Sequence, residues 1–320
     1  MKNNPGGYFT LIAMVLILAF DACSKMGHEA DNSNTTNPAP TPNSPDSTNT
    51  TNTTVSDSSF NTNNLLVNSA TCPNAPNYGD SIVYLKPKNG GDFFANPVNN
   101  MGVDGTYFSW PQGLKINRNT GAINLSQSET GVRYNIAFIK KGTTDTCVSQ
   151  LIVGGITYLD GIYVLDQQDT LAKPIYNANP FASPVCDNSN DTDYPDNNGN
   201  GNNKCVFDND APGQRANDQK LRVRTQSGII NLKKSVNDGL FGKNPKNGDT
   251  KNVQFRYQLN DASQKASQKI TVQVVYYNKA SDIPVTLQQE IASKRNSLFN
   301  YHIVKGKPRP PLLIIAGYAR

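Results

Sequence analysis

Residues 114–128 read LKINRNTGAINLSQS, and residues 221–235 read LRVRTQSGIINLKKS. Aligned without a gap, the two stretches share Leu114/Leu221, Gly121/Gly228, Ile123/Ile230, Asn124/Asn231, Leu125/Leu232 and Ser128/Ser235. Lys115/Arg222, Ile116/Val223 and Thr120/Ser227 are conservative exchanges. Each copy places an apolar-x-apolar pair, a glycine and a second apolar-x-apolar pair in succession. That order predicts two short strands turning about the glycine, with one face toward a core. A strand–turn–strand unit that occurs twice predicts two β-domains built on one plan. Its shared Asn124 and Asn231 alternate with the core-facing set, and nothing in the unit asks for catalysis.

Outward from the first copy, alternation continues at Ile82 and Tyr84 and at Tyr134, Ile136 and Phe138. Residues 148–158 are apolar enough for a strand covered on both faces. Asn89-Gly90-Gly91, Asn119-Thr120-Gly121 and Lys141-Gly142 supply turns. These limits predict a first domain over 65–160. Around the second copy, Ile162, Tyr163 and Val164, then Phe255, Tyr257 and Leu259, then Ile270, Val272 and Val274 repeat the plan, giving a second domain over 161–280. Its departure is an Asn/Asp-rich insertion at 186–205. Residues 281–320 differ: Leu287, Ile291 and Leu298 have helical spacing, and 301–304 with 312–316 read as a hairpin about Lys305-Gly306-Lys307-Pro308. The expected fold class is all-β: two tandem β-sandwiches after a leader and linker, closed by a short C-terminal helix and hairpin.

Pro111-Gln112-Gly113-Leu114-Lys115-Ile116-Asn117, then Thr120-Gly121-Ala122-Ile123, with Gly131 and Tyr134 beyond, resemble the immunoglobulin-like and cadherin-like modules of bacterial surface proteins. There the pattern marks a hairpin inside a β-sandwich. The second copy has Asp218-Gln219-Lys220 before Leu221 and so lacks the Pro-x-Gly. The resemblance implies an immunoglobulin-like sandwich, a fold that hosts many binding roles.

Lys2 followed by an apolar run over 11–20 has the layout of an export signal, with a run too short to span a bilayer as a helix. Phe20-Asp21-Ala22-Cys23 resembles the lipobox of bacterial lipoproteins, in the relaxed form of Bacteroidota-type bacteria, with Asp21 where a small or apolar residue is usual. That resemblance implies a signal over 1–22, cleavage before Cys23 and a lipid on Cys23. Residues 23–64 hold almost no apolar side chains and contain Pro38, Pro40, Pro42 and Pro45. They bury too little surface to offset the ordering entropy, about 1–2 kcal/mol per residue, and are expected to act as a tether. Asp46-Ser47-Thr48 resembles the three-residue O-glycosylation site of the same bacteria.

The chain has 320 residues and five cysteines. With Cys23 assigned to lipid, four remain. Cys72 near the start of the first domain and Cys147 before its last strand would clip that domain, and Cys186 and Cys205 bracket the insertion. Four zinc ligands are the other reading of this set, but export favours disulfides.

Formal charge is +5, from 30 Lys and Arg against 25 Asp and Glu, and it is spread along the chain. Without a basic block interleaved with aromatics, nucleic acid is not an expected partner. His28 and His302 are the two histidines, and Glu29, Glu129 and Glu290 the three glutamates. A histidine-based triad therefore has little to draw on, and no phosphate loop or His/Cys metal motif is present. Calcium is the sharpest chemical expectation. Asp196, Asn198 and Asn200, followed by Gly201, match the first half of an EF-hand-like loop, with Asp208 and Asp210 nearby as further hard oxygens. Position twelve of that loop is Phe207 rather than a glutamate, and a solvated Asn/Asp-rich loop is the plain alternative. For carbohydrate, the aromatic candidates are Tyr107, Phe108 and Trp110, and Tyr276 with Tyr277; packing at a sandwich edge is their plain alternative.

These readings combine into a non-catalytic, lipid-anchored protein of the cell envelope, at the outer membrane on its periplasmic face or at the cell surface. Its expected role is binding, adhesion or spacing, with the membrane as partner through Cys23 and a glycan or surface protein as the other. A glycan-binding lipoprotein of a polysaccharide-uptake system is the alternative, and an aspartate-based hydrolase the third.

Overall fold

The structure is a computed structural model that describes residues 66–67, 72–167, 170–186, 205–300 and 310–318. The expected signal, Cys23, the tether and the ligand candidates Asp196, Asn198 and Asn200 lie outside those residues. Among the described residues the fold is all-β with few helices.

Among the described residues, seven strands make the first sandwich: β1 (Leu66–Val67), β2 (Ile82–Val83), β3 (Phe94–Ala95), β4 (Gly105–Trp110), β5 (Ile123–Asn124), β6 (Val132–Lys140) and β7 (Thr146–Val153). One layer has the order β1-β7-β6-β4, with β2 also on β7; the other is the β3–β5 pair. Both β1 and β2 run parallel to β7, at opposite ends of it. Leu114, Ile116, Ile123 and Leu125 are buried in the core between the layers, with Tyr134, Ile136 and Phe138 from β6. The Cys72–Cys147 disulfide is formed, across a Cα–Cα distance of 5.6 Å. On the chain-entropy model a closed loop of this length is worth about 4 kcal/mol.

The apolar run expected as one strand over 148–158 is two. Gly154-Gly155 breaks it, and β8 (Ile156–Tyr158) pairs antiparallel with β11 (Pro174–Tyr176). Ile156 and Tyr158 therefore belong to the second core. The remaining elements are β9 (Gly161–Val164), β10 (Leu171–Ala172), β12 (Val206–Phe207), β13 (Ile230–Asn231), α1 (Leu232–Asn237), β14 (Asp249–Gln258), β15 (Gln268–Lys279), α2 (Val285–Asn300) and β16 (Leu312–Tyr318). The large sheet has the order β12-β14-β15-β16-β9. Leu221, Val223, Ile230 and Leu232 are buried against it, as their counterparts are in the first sandwich. The Cys186–Cys205 disulfide is formed, with 5.5 Å between Cα atoms.

The C-terminal strand corrects one expectation. Leu312–Tyr318 is not half of a terminal hairpin, because both its edges are occupied: β16 runs parallel to β15 on one side and to β9 on the other. Its sequence, LLIIAGY, is an unbroken apolar run because both faces are covered. Leu313 and Ile315 enter the second core. Leu312, Ile314 and Ala316 meet Val275 and Tyr277 of β15, and Ile291 of α2, on the far face. The expected helix is present, and it covers that far face with Leu287 and Ile291. Pro311 sits just before the strand, where the ring removes no ladder hydrogen bond and its carbonyl accepts from Gln273 N at 2.9 Å.

Candidate functional site

The two copies of the repeated unit match bond for bond. Gly121 N donates to Asn117 O at 2.8 Å, and Gly228 N to Arg224 O at 2.9 Å. Both glycines lie at positive φ, +72° and +71°, where side chains are strained. A Cβ on Gly121 would meet the Tyr107 ring at 2.7 Å, and one on Gly228 the Phe207 ring at 2.5 Å. Ser128 Oγ donates to Asn124 O at 2.7 Å and accepts from Lys115 N at 2.9 Å. Ser235 Oγ donates to Asn231 O at 2.7 Å and accepts from Arg222 N at 2.8 Å. A tyrosine clasps each turn: Tyr78 donates to Gly121 O at 2.6 Å, and Tyr158 to Gly228 O at 2.5 Å. Asn124 and Asn231 are thus caps. The Asn231 side chain accepts from Lys234 N at 2.9 Å and opens α1, a helix absent from the sequence expectations.

The residues singled out for chemistry are mostly engaged in such local bonds. Asp208 is buried, accepting from Ala216 N at 2.5 Å, Asn217 N at 3.0 Å and Asn217 Nδ2 at 2.7 Å. Burial pushes its carboxyl above the ordinary carboxylate range, against the pull of the Asn217 and Ala216 donors. Asp210 accepts from Arg256 N at 2.7 Å and pairs with the Arg256 guanidinium at 3.5 Å. Asp208 thus closes the 208–217 loop on itself and Asp210 ties it to β14, their oxygens turned to protein donors. Asp92 accepts from Asn124 Nδ2 and Gln127 Nε2, both at 2.6 Å. Among the described residues, no group of three or more His, Cys, Asp and Glu side chains comes together.

The aromatic candidates divide between the cores. Tyr107 is buried against Phe138, with ring centroids 4.7 Å apart. Phe108 carries the Arg118 guanidinium 4.9 Å above its ring. Trp110 is half-buried at the end of β4, joined to Pro111 by a cis peptide bond. Tyr276 and Tyr277 are buried on opposite faces of β15. They form no line of stacking rings.

What sequence reasoning missed is the joint between the sandwiches. Tyr257 of β14 is fully buried, and three groups converge on its hydroxyl. Ile156 N donates to it at 3.1 Å, Thr130 Oγ1 lies 2.5 Å away, and the phenol donates to Gln268 Oε1 at 2.7 Å. The phenol proton goes to Gln268, so Thr130 is the donor in its own bond. Burial pushes the Tyr257 phenol up, the Thr130 and Ile156 bonds pulling the other way, so it stays protonated. Beside this hub, Asn177 Nδ2 donates to Tyr84 Oη at 3.1 Å; Gly155 N donates to Asn177 Oδ1 at 3.0 Å and Asn177 N to Gly155 O at 2.8 Å. The β14–β15 loop reaches over far enough to place Ala266 in the first core. Gln264 and Lys265, at φ of +56° and +58°, make that bend. No spacing rule links Thr130, Tyr257 and Gln268, so only the fold reveals them together.

A groove of about 140 Å³ opens where the sandwiches meet, with Leu85 and Leu125 on its apolar side and Thr130 and Gln268 of the hub in its wall. Arg256 and Lys269, cross-strand partners on β14 and β15, also line it.

No protein-family model and no curated protein matches the chain. Among solved structures, two crystal forms of human protocadherin-24 EC1-2 were found. One is 8% identical, with a TM-score of 0.19, covering 61% of this chain and 93% of that one. The second form is 10% identical, with a TM-score of 0.19, covering 63% and 97%. Agreement this low carries no argument about function, and the topology above stands on its own strand pairing.

Proposed function

We propose that the chain is a non-catalytic, lipid-anchored binding and spacing protein of the cell envelope, held to the outer membrane through Cys23. The observation that carries the binding and spacing half is the buried joint. Thr130, Tyr257, Gln268 and Ile156 fasten the two sandwiches through hydrogen bonds out of water, where breaking one strands its partners. Such a joint fixes one relative orientation of the sandwiches and lets the pair present a constant surface. The anchoring half rests on the sequence: an apolar run, a small residue and Cys23, then a polar tether that would lift the folded part from a membrane. Aspartates engaged as loop caps and glycines placed in turns support a scaffold more than a reaction centre.

The test is Cys23→Ala in the full chain. The expected result is loss of labelling by a fatty-acid analogue and movement of the protein from the membrane to the soluble fraction. Retention of Cys23→Ala in membranes, with labelling unchanged, overturns the anchor. Glycan binding is the second reading, favoured by the groove between the sandwiches.

A further inference from the structure

The groove at the joint is rich in hydrogen-bond donors and poor in acceptors. Among its lining residues Arg256 and Lys269 bring two cations, side by side across β14 and β15, and no carboxylate lines it. Gln268 is 2% exposed and lines the same groove. Its Oε1 is taken by the Tyr257 phenol, and its Nε2 has no hydrogen-bond partner among the described residues. Around the same phenol oxygen, Ile156 N donates at 3.1 Å and Thr130 Oγ1 lies 2.5 Å away. The amide N–H pair is left for whatever enters. A buried donor without an acceptor destabilises the protein, so an acceptor there is favoured.

The hydroxyls sort the same way. Thr130 Oγ1 donates to Tyr257 and Ser128 Oγ to Asn124 O, so their protons are committed inward. Ser126 Oγ accepts from Phe93 N at 2.9 Å, which leaves its proton to give, and exposed Ser267 stands at the rim. Arg256 shares its charge with Asp210, which lies outside the groove lining. The Lys269 ammonium takes part in none of the ion pairs among the described residues. A space of this volume holds roughly one six-membered ring, by comparison with a cavity of about 150 Å³ that accepts benzene. Leu85 and Leu125 offer such a ring an apolar side.

We infer that the groove between the sandwiches binds a single sugar residue carrying an oxyanion, with the anion facing Lys269 and Arg256 and a ring oxygen or hydroxyl accepting from Gln268 Nε2. The inference rests on the binding role proposed above and is independent of the anchor. A carboxylate and a sulfate ester share the required chemistry: a delocalised negative charge on a body the size of one ring.

Isothermal titration calorimetry on the purified full chain tests it, with methyl glucuronide, glucose 6-sulfate and methyl glucoside as probes. The expected result is one-to-one binding of an acidic probe, with methyl glucoside weaker by about tenfold or more, the worth of one charge-assisted bond. Preference for methyl glucuronide marks the anion as a carboxylate, and preference for glucose 6-sulfate marks it as a sulfate ester. Lys269→Gln, a change on an exposed strand position, should lower the acidic probe's affinity by about tenfold without moving the melting temperature. Gln268→Glu keeps an oxygen for Tyr257 and removes the N–H pair, and should abolish binding. Heat equal for acidic and neutral probes, binding untouched by Lys269→Gln, or no heat from any probe overturns the inference. A protein that binds no probe yet still loses its membrane association in Cys23→Ala would sink this site and leave the anchor standing.

Discussion

The two copies of the repeated unit agree in their turns and diverge three residues past their ends. Position 131 stands to the first copy as position 238 stands to the second, and the two residues have opposite duties. Gly131, at φ +70°, lies against the backbone of Ile156, where a Cβ would collide with the chain entering the second sandwich. Asp238 ends α1 and pairs with Arg222, with Lys234 at 3.3 Å. Gly131 does without a side chain so that a neighbouring sandwich can close in, whereas Asp238 uses one to lock its own turn. The shared residues of the repeat therefore build the sandwich, and the unshared ones decide whether it has a neighbour.

Gly131→Val against Asp238→Gly should break that comparison most sharply. The valine meets both a forbidden φ and the Ile156 backbone, and should cost about 4 kcal/mol or prevent folding, within the range of strain and overpacking. Asp238→Gly removes a partly exposed ion pair and adds chain entropy, at about 1 kcal/mol. Denaturant melts of both variants measure the gap, and equal costs would refute the assigned duties. Next in size are the tyrosine clasps. Tyr78→Phe and Tyr158→Phe each leave a glycine carbonyl without its hydroxyl, and each should lose about 1–2 kcal/mol in the same melts. A large inequality would show that one copy depends on its clasp and the other does not.

The smallest effect is electrostatic and belongs to the second copy alone. Burial alone would raise the Asp238 carboxyl, but the Arg222 and Lys234 bonds and charges outweigh it and bring it below the ordinary carboxylate range. A carboxylate depressed by folding stabilises the protein above its unfolded pKa and loses that contribution as pH falls through its folded one. The stability difference between the native protein and Asp238→Asn should accordingly be a few tenths of a kcal/mol near neutral pH and shrink below about pH 4. A difference that stays constant from neutral to acid would remove the charge from the account.

Much of this organisation is visible in the residues. Leu114, Ile116, Ile123 and Leu125 and their four counterparts announce a core by period two, and all eight are buried. Cys72 with Cys147 and Cys186 with Cys205 bond as their positions suggest. What escapes are contacts between distant segments. LLIIA at 312–316 carries the unbroken apolar signature of a strand with two covered faces, yet nothing in it names β9 and β15 as neighbours. Thr130, Tyr257 and Gln268 are ordinary residues in their own segments and become a hub only through the packing. Six-residue α1 is too short for a period, and its one local signal, Asn231 as cap, stands also at Asn124, where strand β5 leads into a turn instead.

The parallel strand wedged between β9 and β15 orders the birth of the protein. β7 finds β2 within the first sandwich, so every strand of that sheet is in place once residue 153 has been made. Leu313 must find Gly161, and Leu312 must find Gln273, so the second sheet stays split until the strand from residue 312 onward has been made. Through that interval β9 and β15 each hold an open ladder edge, the kind that pairs with stray strands. A folded first sandwich, already offering Thr130 to Tyr257, gives the waiting half a surface to lie against. Synthesis from the N-terminus thus completes the sheet that closes by itself before the one that needs its last strand.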